Sequence, residues 1–210
     1  NDLNDDDRYH GILIQLPLPK RIDSDNVLRS VRPDKDVDGF HPENIGLLAS
    51  GNPRFIPCTP KGILRIFQFY NIETSGKHAV IVGRSNIVGR PMALMLSAKN
   101  DTGNATVTVC HSRTPDIANY TRQGDIVIAA AGMPSLIKGD MISKGTVIID
   151  VGINRVDDNS EKGYKLLGDV DYESVMDKAS AITPVPGGVG PMTIAMLVEN
   201  TVEAAERLIF

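Results

Sequence analysis

The sequence has no tryptophan, and its aromatic residues amount to only 5%. It has two cysteines, Cys58 and Cys110, too few for a disulfide framework and in no metal-ligand spacing. Reduced thiols in a cytosol-like, cytoplasmic setting are therefore expected. Positive charge is not in excess: 22 Lys and Arg stand against 26 Asp and Glu, for a net charge of −4. That balance argues against the basic surface from which nonspecific nucleic-acid affinity normally arises. No apolar run approaches the ~18 residues of a membrane span. The opening NDLNDDDRYH is acidic and polar, unlike a secretory or transit leader.

Proline and glycine are plentiful, at 13 and 19, and punctuate 210 residues, enough for one large domain or two small ones. The first block is slight. GILIQL (11–16) reads as an apolar strand halted by PLPK, and SDNVLRSV (24–31) as a short helix capped by Ser24. RPDKDVDGFHPENIG (32–46) reads as a polar loop. CTPKGILRIFQFY (58–70) predicts a helix with Thr59 as N-cap and Pro60 at the first helical position. Its Ile63, Ile66, Phe67 and Tyr70 fall at core spacing.

From Lys77 the rhythm changes. HAVIVG, ATVTVC, DIVIAAAG and TVIIDVG alternate with helix-length segments, and β-branched runs of this kind suit strands buried on both faces. The pattern over 77–182 predicts an α/β fold, a Rossmann-like doubly wound parallel sheet. The last 21 residues, from Gly190, read as a long amphipathic helix. The first block cannot bury a core alone. It reads as the remnant of an N-terminal α/β substrate domain, completed by that helix. The expected division is 61–185 for a dinucleotide-binding domain and 1–60 with 186–210 for the remnant.

The chemistry concentrates in loops. VIVGRSNIVGRP (80–91) resembles a dinucleotide turn, with Gly83 ending a strand and Gly89 opening a helix, but Ser85 stands where a middle glycine is usual. The next strand ends at HSRT (111–114), where an NAD enzyme would place a carboxylate on the ribose. Ser112 and Arg113 stand there instead, with Arg84 in the first loop, and together they suit the 2′-phosphate of NADP. Taken singly, each has a plain alternative as a turn or solvated residue. AAAGMP (129–134) and DVGIN (150–154) close two further strands with small residues, which would let backbone lie against a flat ring. In KDVDGF, a carboxylate can accept paired hydrogen bonds from a ring N–H and an adjacent amino group. The alternatives are an exposed turn or a hard-metal loop, and no metal is expected because calcium-loop spacing is absent. Gln15 follows an apolar run and precedes two fixing prolines. TPVPGGVGPMT (183–193) combines rigidity with bare backbone just ahead of the last helix.

Together GILIQLPLP, KDVDGF, PCTPKG, VGRSNIVGRPMA, HSRT, GDMI, IDVGIN, GDVDY and TPVPGGVGPMT resemble the bifunctional methylenetetrahydrofolate dehydrogenase/methenyltetrahydrofolate cyclohydrolase family. The resemblance runs in order over nearly the whole chain. It implies oxidation of 5,10-methylenetetrahydrofolate with NADP, then hydrolysis to 10-formyltetrahydrofolate, and we expect a homodimer in one-carbon metabolism and purine biosynthesis. It also implies that Gln15 assists a catalytic lysine and that Asp38 holds the pterin edge. Pro186 and Gly187 would meet substrate, and Thr59, Gly83, Arg84, Ser85, Ile87, Ser112, Ile153 and Thr193 would contact cofactor, joined by Arg113. One departure stands out: the family's Tyr-x-x-x-Lys, which carries that lysine, occurs nowhere in the sequence. The expectation is a fragment lacking the front of the substrate domain, with Lys35 and Lys61 in surface and helix-start roles.

Overall fold

The computed structural model describes residues 2–159 and 161–207. Helices α1 (Asp2–Asp5), α2 (Ser24–Ser30), α3 (Pro42–Ala49) and α4 (Cys58–Phe69) precede the sheet. Then β1 (His78–Val82), α5 (Gly89–Ser97), β2 (Thr106–Cys110), α6 (Ile117–Thr121), β3 (Ile126–Ala129) and β4 (Val147–Asp150) alternate. A hairpin of β5 (Asn154–Asp157) and β6 (Tyr164–Leu167) follows, then α7 (Tyr172–Val175), β7 (Ala181–Ile182) and α8 (Val189–Arg207).

The sheet is parallel throughout, in the order β2-β1-β3-β4-β7. Side chains alternate across it, so each strand feeds two cores. Ala79 and Ile81 of β1 pack with Ile63, Phe67, Met92 and Leu96 on one face. Val80 and Val82 pack with Ile137, Ile148, Val170 and Val175 on the other. Chain order reverses between β1 and β3, which makes the gap above their carboxyl ends the switch point where such sheets bind ligands. α8 crosses α4 closely at Gly62, where an added Cβ would come 3.0 Å from that of Met192.

The four main strands and the doubly wound sheet agree with the sequence reading, and several details do not. ATVTVC is an edge strand with only Cys110 fully buried, because among the described residues nothing pairs beyond it. GILIQL contributes one bridge residue, Ile12 opposite Asp36, rather than a strand. α2 is capped by Asp23, which accepts from the Asp25 and Asn26 amides, and not by Ser24. α4 begins after Pro57 without a side-chain cap, so Thr59 lies inside its first turn. On that helix Ile63 and Phe67 are core, whereas Tyr70 is exposed. Part of the polar loop is α3, with Pro42 at its first position and the His41 ring capping it. The β5–β6 hairpin, in which Lys165, Leu166 and Leu167 pair antiparallel with β5, lies outside the main sheet. The predicted last helix holds to Arg207, and its final three residues lie outside the described ones.

The first block is held to α8. Val37 and Phe55 pack on Ala204. Asn200, fully buried, donates through Nδ2 to the Val37 carbonyl (2.8 Å) and the Ile56 carbonyl (3.0 Å), and its Oδ1 accepts from Lys61 Nζ at 2.7 Å. Lys61 also pairs with Glu199 and Glu203. Lys35 is not a surface residue: it is 2% exposed and donates to the Leu3 and Asp6 carbonyls.

Candidate functional site

The three aspartates of RPDKDVDGF have three fates. Asp34 pairs with Arg32 near the surface. Asp36 is buried and accepts from the His41 amide and Asn44 Nδ2. Asp38 is half-buried and lines a cavity of about 660 Å³, within the range of small-molecule sites. Burial pushes its carboxyl up to about 6; the Cys58 thiol opposes that shift and nearby Asp36 reinforces it. Cys58, itself buried, donates to the Val37 carbonyl at 3.4 Å, and burial together with Asp38 raises its thiol to about 12. That thiol is an uncharged wall, not a nucleophile.

The same cavity collects Gln15, Thr59, Ile87, Ile153, Pro186, Gly187 and Thr193 from five separate segments. The Gln15 side chain is exposed and donates to its neighbour's carbonyl, that of Leu16. Thr59 and Thr193 meet hydroxyl to hydroxyl at 3.0 Å, joining the first turns of α4 and α8. Ile153 stands 61% exposed on the cavity wall, an apolar side chain with a face to offer. Gly187, at φ +104, lets the chain turn back into α8.

Gly83, Arg84, Ser85, Ser112 and Arg113 are not on that wall. They sit in the loops after β1 and β2, whose register pairs Val82 with Cys110, so the two loops are neighbours. Ile87, which lines the cavity, joins this region to it. Gly83 is obligatory: at φ +134, a Cβ would lie 2.1 Å from the Ala130 carbonyl oxygen across the switch point. Gly89 is equally tight: a Cβ there would lie 2.2 Å from the Gly83 carbonyl oxygen. The Ser85 hydroxyl accepts from the Val88 amide at 3.0 Å and stabilises the turn before α5, a local role the sequence reading did not assign it. The HSRT turn is closed by Thr114 Oγ1 on the His111 amide and by His111 Nδ1 on the Arg113 amide. Ser112 and Arg113 are left pointing outward and exposed. Among the described residues neither the Arg84 nor the Arg113 guanidinium makes an ion pair, so two uncommitted cations flank adjacent strand ends.

Two carboxylates escaped the sequence reading. Asp150, at the end of β4, accepts from the amides of Gly152 (3.0 Å), Asp169 (2.8 Å) and Val170 (3.0 Å), while burial raises its carboxyl against those donors. Asp169, fully buried, accepts from Ala131 (2.6 Å), Gly132 (2.8 Å) and Met133 (2.9 Å), and from Asn154 Nδ2 (2.8 Å). The signal lay in the paired glycines: a Cβ on Gly152 would strike the Asp169 carboxylate, and one on Gly168 that of Asp150.

The arrangement has close counterparts. Residues 57–209 match the sequence model described as "Tetrahydrofolate dehydrogenase/cyclohydrolase, NAD(P)-binding domain", and residues 1–38 that of the corresponding "catalytic domain". A bifunctional protein FolD from Haloquadratum walsbyi is 61% identical over 204 residues, which are 97% of this chain and 65% of that protein. The chain thus spans about two thirds of that relative's length. The crystal structure of the bifunctional FolD enzyme from Campylobacter jejuni superposes with a TM-score of 0.90 at 55% identity, covering 98% of this chain and 70% of that one. A Trypanosoma brucei methylenetetrahydrofolate dehydrogenase-cyclohydrolase, solved with NADP and an inhibitor, gives 0.92 at 42% identity over 99% and 70%. A cavity at the carboxyl end of this sheet and family matches at both ends of the sequence lead to one assignment: the chain belongs to the tetrahydrofolate dehydrogenase/cyclohydrolase family.

Proposed function

We propose that the chain carries the ligand seats of an NADP-dependent enzyme that oxidises 5,10-methylenetetrahydrofolate to the methenyl form and hydrolyses that to 10-formyltetrahydrofolate. The observation that carries this reading is a single cavity joining a half-buried carboxylate, Asp38, to the exit of β4 at Asp150–Ile153 and to Ile87 in the loop after β1. Asp38 would accept paired hydrogen bonds from the pterin edge, with Gln15 and the backbone at Pro186 and Gly187 on the substrate side. Thr59, Ile87, Ile153 and Thr193 would flank the dinucleotide, whose nicotinamide accepts the hydride when bound. Gly83 lets backbone approach the pyrophosphate, and Arg84, Ser85, Ser112 and Arg113 would hold the 2′-phosphate. Ser85 can do so while capping its turn, because its O–H remains a donor. We also propose the division into a dinucleotide-binding unit, 61–185, and a substrate unit, 1–60 with 186–210. A cytoplasmic homodimer serving purine biosynthesis completes the proposal. No helix among the described residues is long and apolar enough to cross a membrane.

Calorimetry tests the cofactor assignment. NADP is expected to bind more tightly than NAD, and Arg84→Ala or Arg113→Ala should each cost about 1 to 2 kcal/mol, five- to thirtyfold, for NADP alone. Equal affinity for the two dinucleotides would remove these residues from a 2′-phosphate site.

A second reading, binding without turnover by these 210 residues alone, has its own support. Among the described residues no lysine lines the cavity, and Lys35 and Lys61 are committed elsewhere. The pure chain with methylenetetrahydrofolate and NADP should form no NADPH above background and should not hydrolyse the methenyl compound. Robust hydrolysis would refute the need for a Tyr-x-x-x-Lys segment.

A further inference from the structure

At the exit of β3, beside the switch point, three consecutive amides turn onto one buried side chain. Amides there are the customary cradle for a ligand's phosphate. After β3 that cradle is already filled from within: Ala131, Gly132 and Met133 all donate to Asp169, and Gly132 adopts φ +65 to complete the curl. The fourth donor, Asn154 Nδ2, comes from the first residue of β5, just past Ile153. One carboxylate therefore fastens the exit of β3 to the exit of β4. Its main chain is fastened too, since the Asp169 amide donates to Asp150 and the Ile137 amide donates to the Asp169 carbonyl.

We propose that Asp169 is a positioning residue for the ring-bearing end of the dinucleotide. It fixes the spacing between the 131–133 loop and the 151–153 wall, and it withholds the loop's amides from phosphate, leaving the pyrophosphate to the Gly83 loop. The proposal rests on the dinucleotide reading above. It assigns Asp169 no contact with ligand. Charge-assisted hydrogen bonds are the strong ones, and four on one buried carboxylate leave the loop little freedom. Asparagine at 169 would keep a single acceptor oxygen and turn an NH₂ donor toward amides that also donate.

The test compares two ligands on the 210-residue chain by calorimetry: NADP, and adenosine 2′,5′-bisphosphate, which has the phosphate-bearing end but no nicotinamide. For Asp169→Asn, NADP should weaken by about tenfold or more, while the bisphosphate should change less than about twofold. A general structural role would weaken both alike, and that result, or no effect on either, overturns the proposal. If Asp169→Asn does not fold, Asn154→Ala carries the test by removing one donor of four, and the same asymmetry is required of it. A wild-type chain that binds the bisphosphate while both variants bind NADP normally defeats the positioning role alone. A wild-type chain that binds neither ligand defeats the dinucleotide reading and the proposal with it.

Discussion

Asp38→Asn is expected to weaken folate binding by about a hundredfold while making the protein more stable at neutral pH. The loss follows from pairing. A carboxylate offers two acceptors to two parallel donors, whereas an amide offers one acceptor and sets a donor against the other. Two hydrogen bonds to a charged group at about 1.5 kcal/mol each give the stated factor. The gain follows from burial. With its carboxyl at about 6 in the folded chain, Asp38 binds its proton more tightly there than in the unfolded chain. Protonation therefore favours the fold. The group's contribution is greatest below about pH 4, is lost as pH rises through 6, and above that leaves a cost on the order of 2 kcal/mol that asparagine does not incur. Wild-type folate affinity should fall about tenfold per pH unit below 6, and the variant's should be flat. Calorimetric titrations from pH 5 to 8, with thermal unfolding at pH 7, measure both effects. A pH-independent wild type, or a variant less stable than wild type, would defeat the argument. On the proposed folate role, Asp38 would be kept at the expense of stability.

Asn200→Leu should be the most damaging single change in the helix packing. The amide is fully buried and satisfies two backbone carbonyls, one directly before Asp38 and one two residues before Cys58, while its oxygen receives Lys61. Leucine is bulkier, leaves the Ile56 carbonyl without a donor and leaves the Val37 carbonyl only the weak Cys58 thiol, at about 1 to 3 kcal/mol for each buried group. A total of about 4 kcal/mol corresponds to a melting temperature lower by about 10 °C for a chain of this size. The neighbouring Thr201→Ala supplies the control. That hydroxyl is exposed and bonds only the Leu197 carbonyl within its own helix, so its removal should be nearly silent. Denaturant unfolding of the two variants decides: a loss below about 1 kcal/mol for Asn200→Leu would mean the loop carbonyls find other donors.

What could be read from the sequence depended on how local its cause was. Ile81, Ile128 and Ile149 sit in continuous apolar runs because β1, β3 and β4 are central and covered on both sides. The edge position of β2 comes from strand order, which no run of residues spells out. Pro42 passed for loop punctuation although proline suits the first position of a helix. Gly83 and the uncommitted Arg84 and Arg113 were legible because turn chemistry and charge are local. Asp34, Asp36 and Asp38 looked alike in sequence, and only their folded surroundings, near for the first two and drawn from remote segments for Asp38, separate an ion pair, a buried acceptor and a cavity wall. Lys35 was misjudged for the same reason, its partners lying 29 and 32 residues away. The Asp150 and Asp169 clamps were missed because their acceptor role appears only once two strand ends and a hairpin root converge.

The hydrogen bond from Asn200 to the Val37 carbonyl spans 163 residues. A loop whose tether is so remote cannot mature in the order in which it is synthesised. At about 5–20 residues per second, ribosomal synthesis leaves the Asp38 loop waiting roughly 8 to 30 s for α8 to arrive. During that interval the central strands can already pair through nearer contacts. The parallel sheet is thus expected to assemble first, with the carboxylate's surroundings forming last, after translation has delivered the helix that closes them.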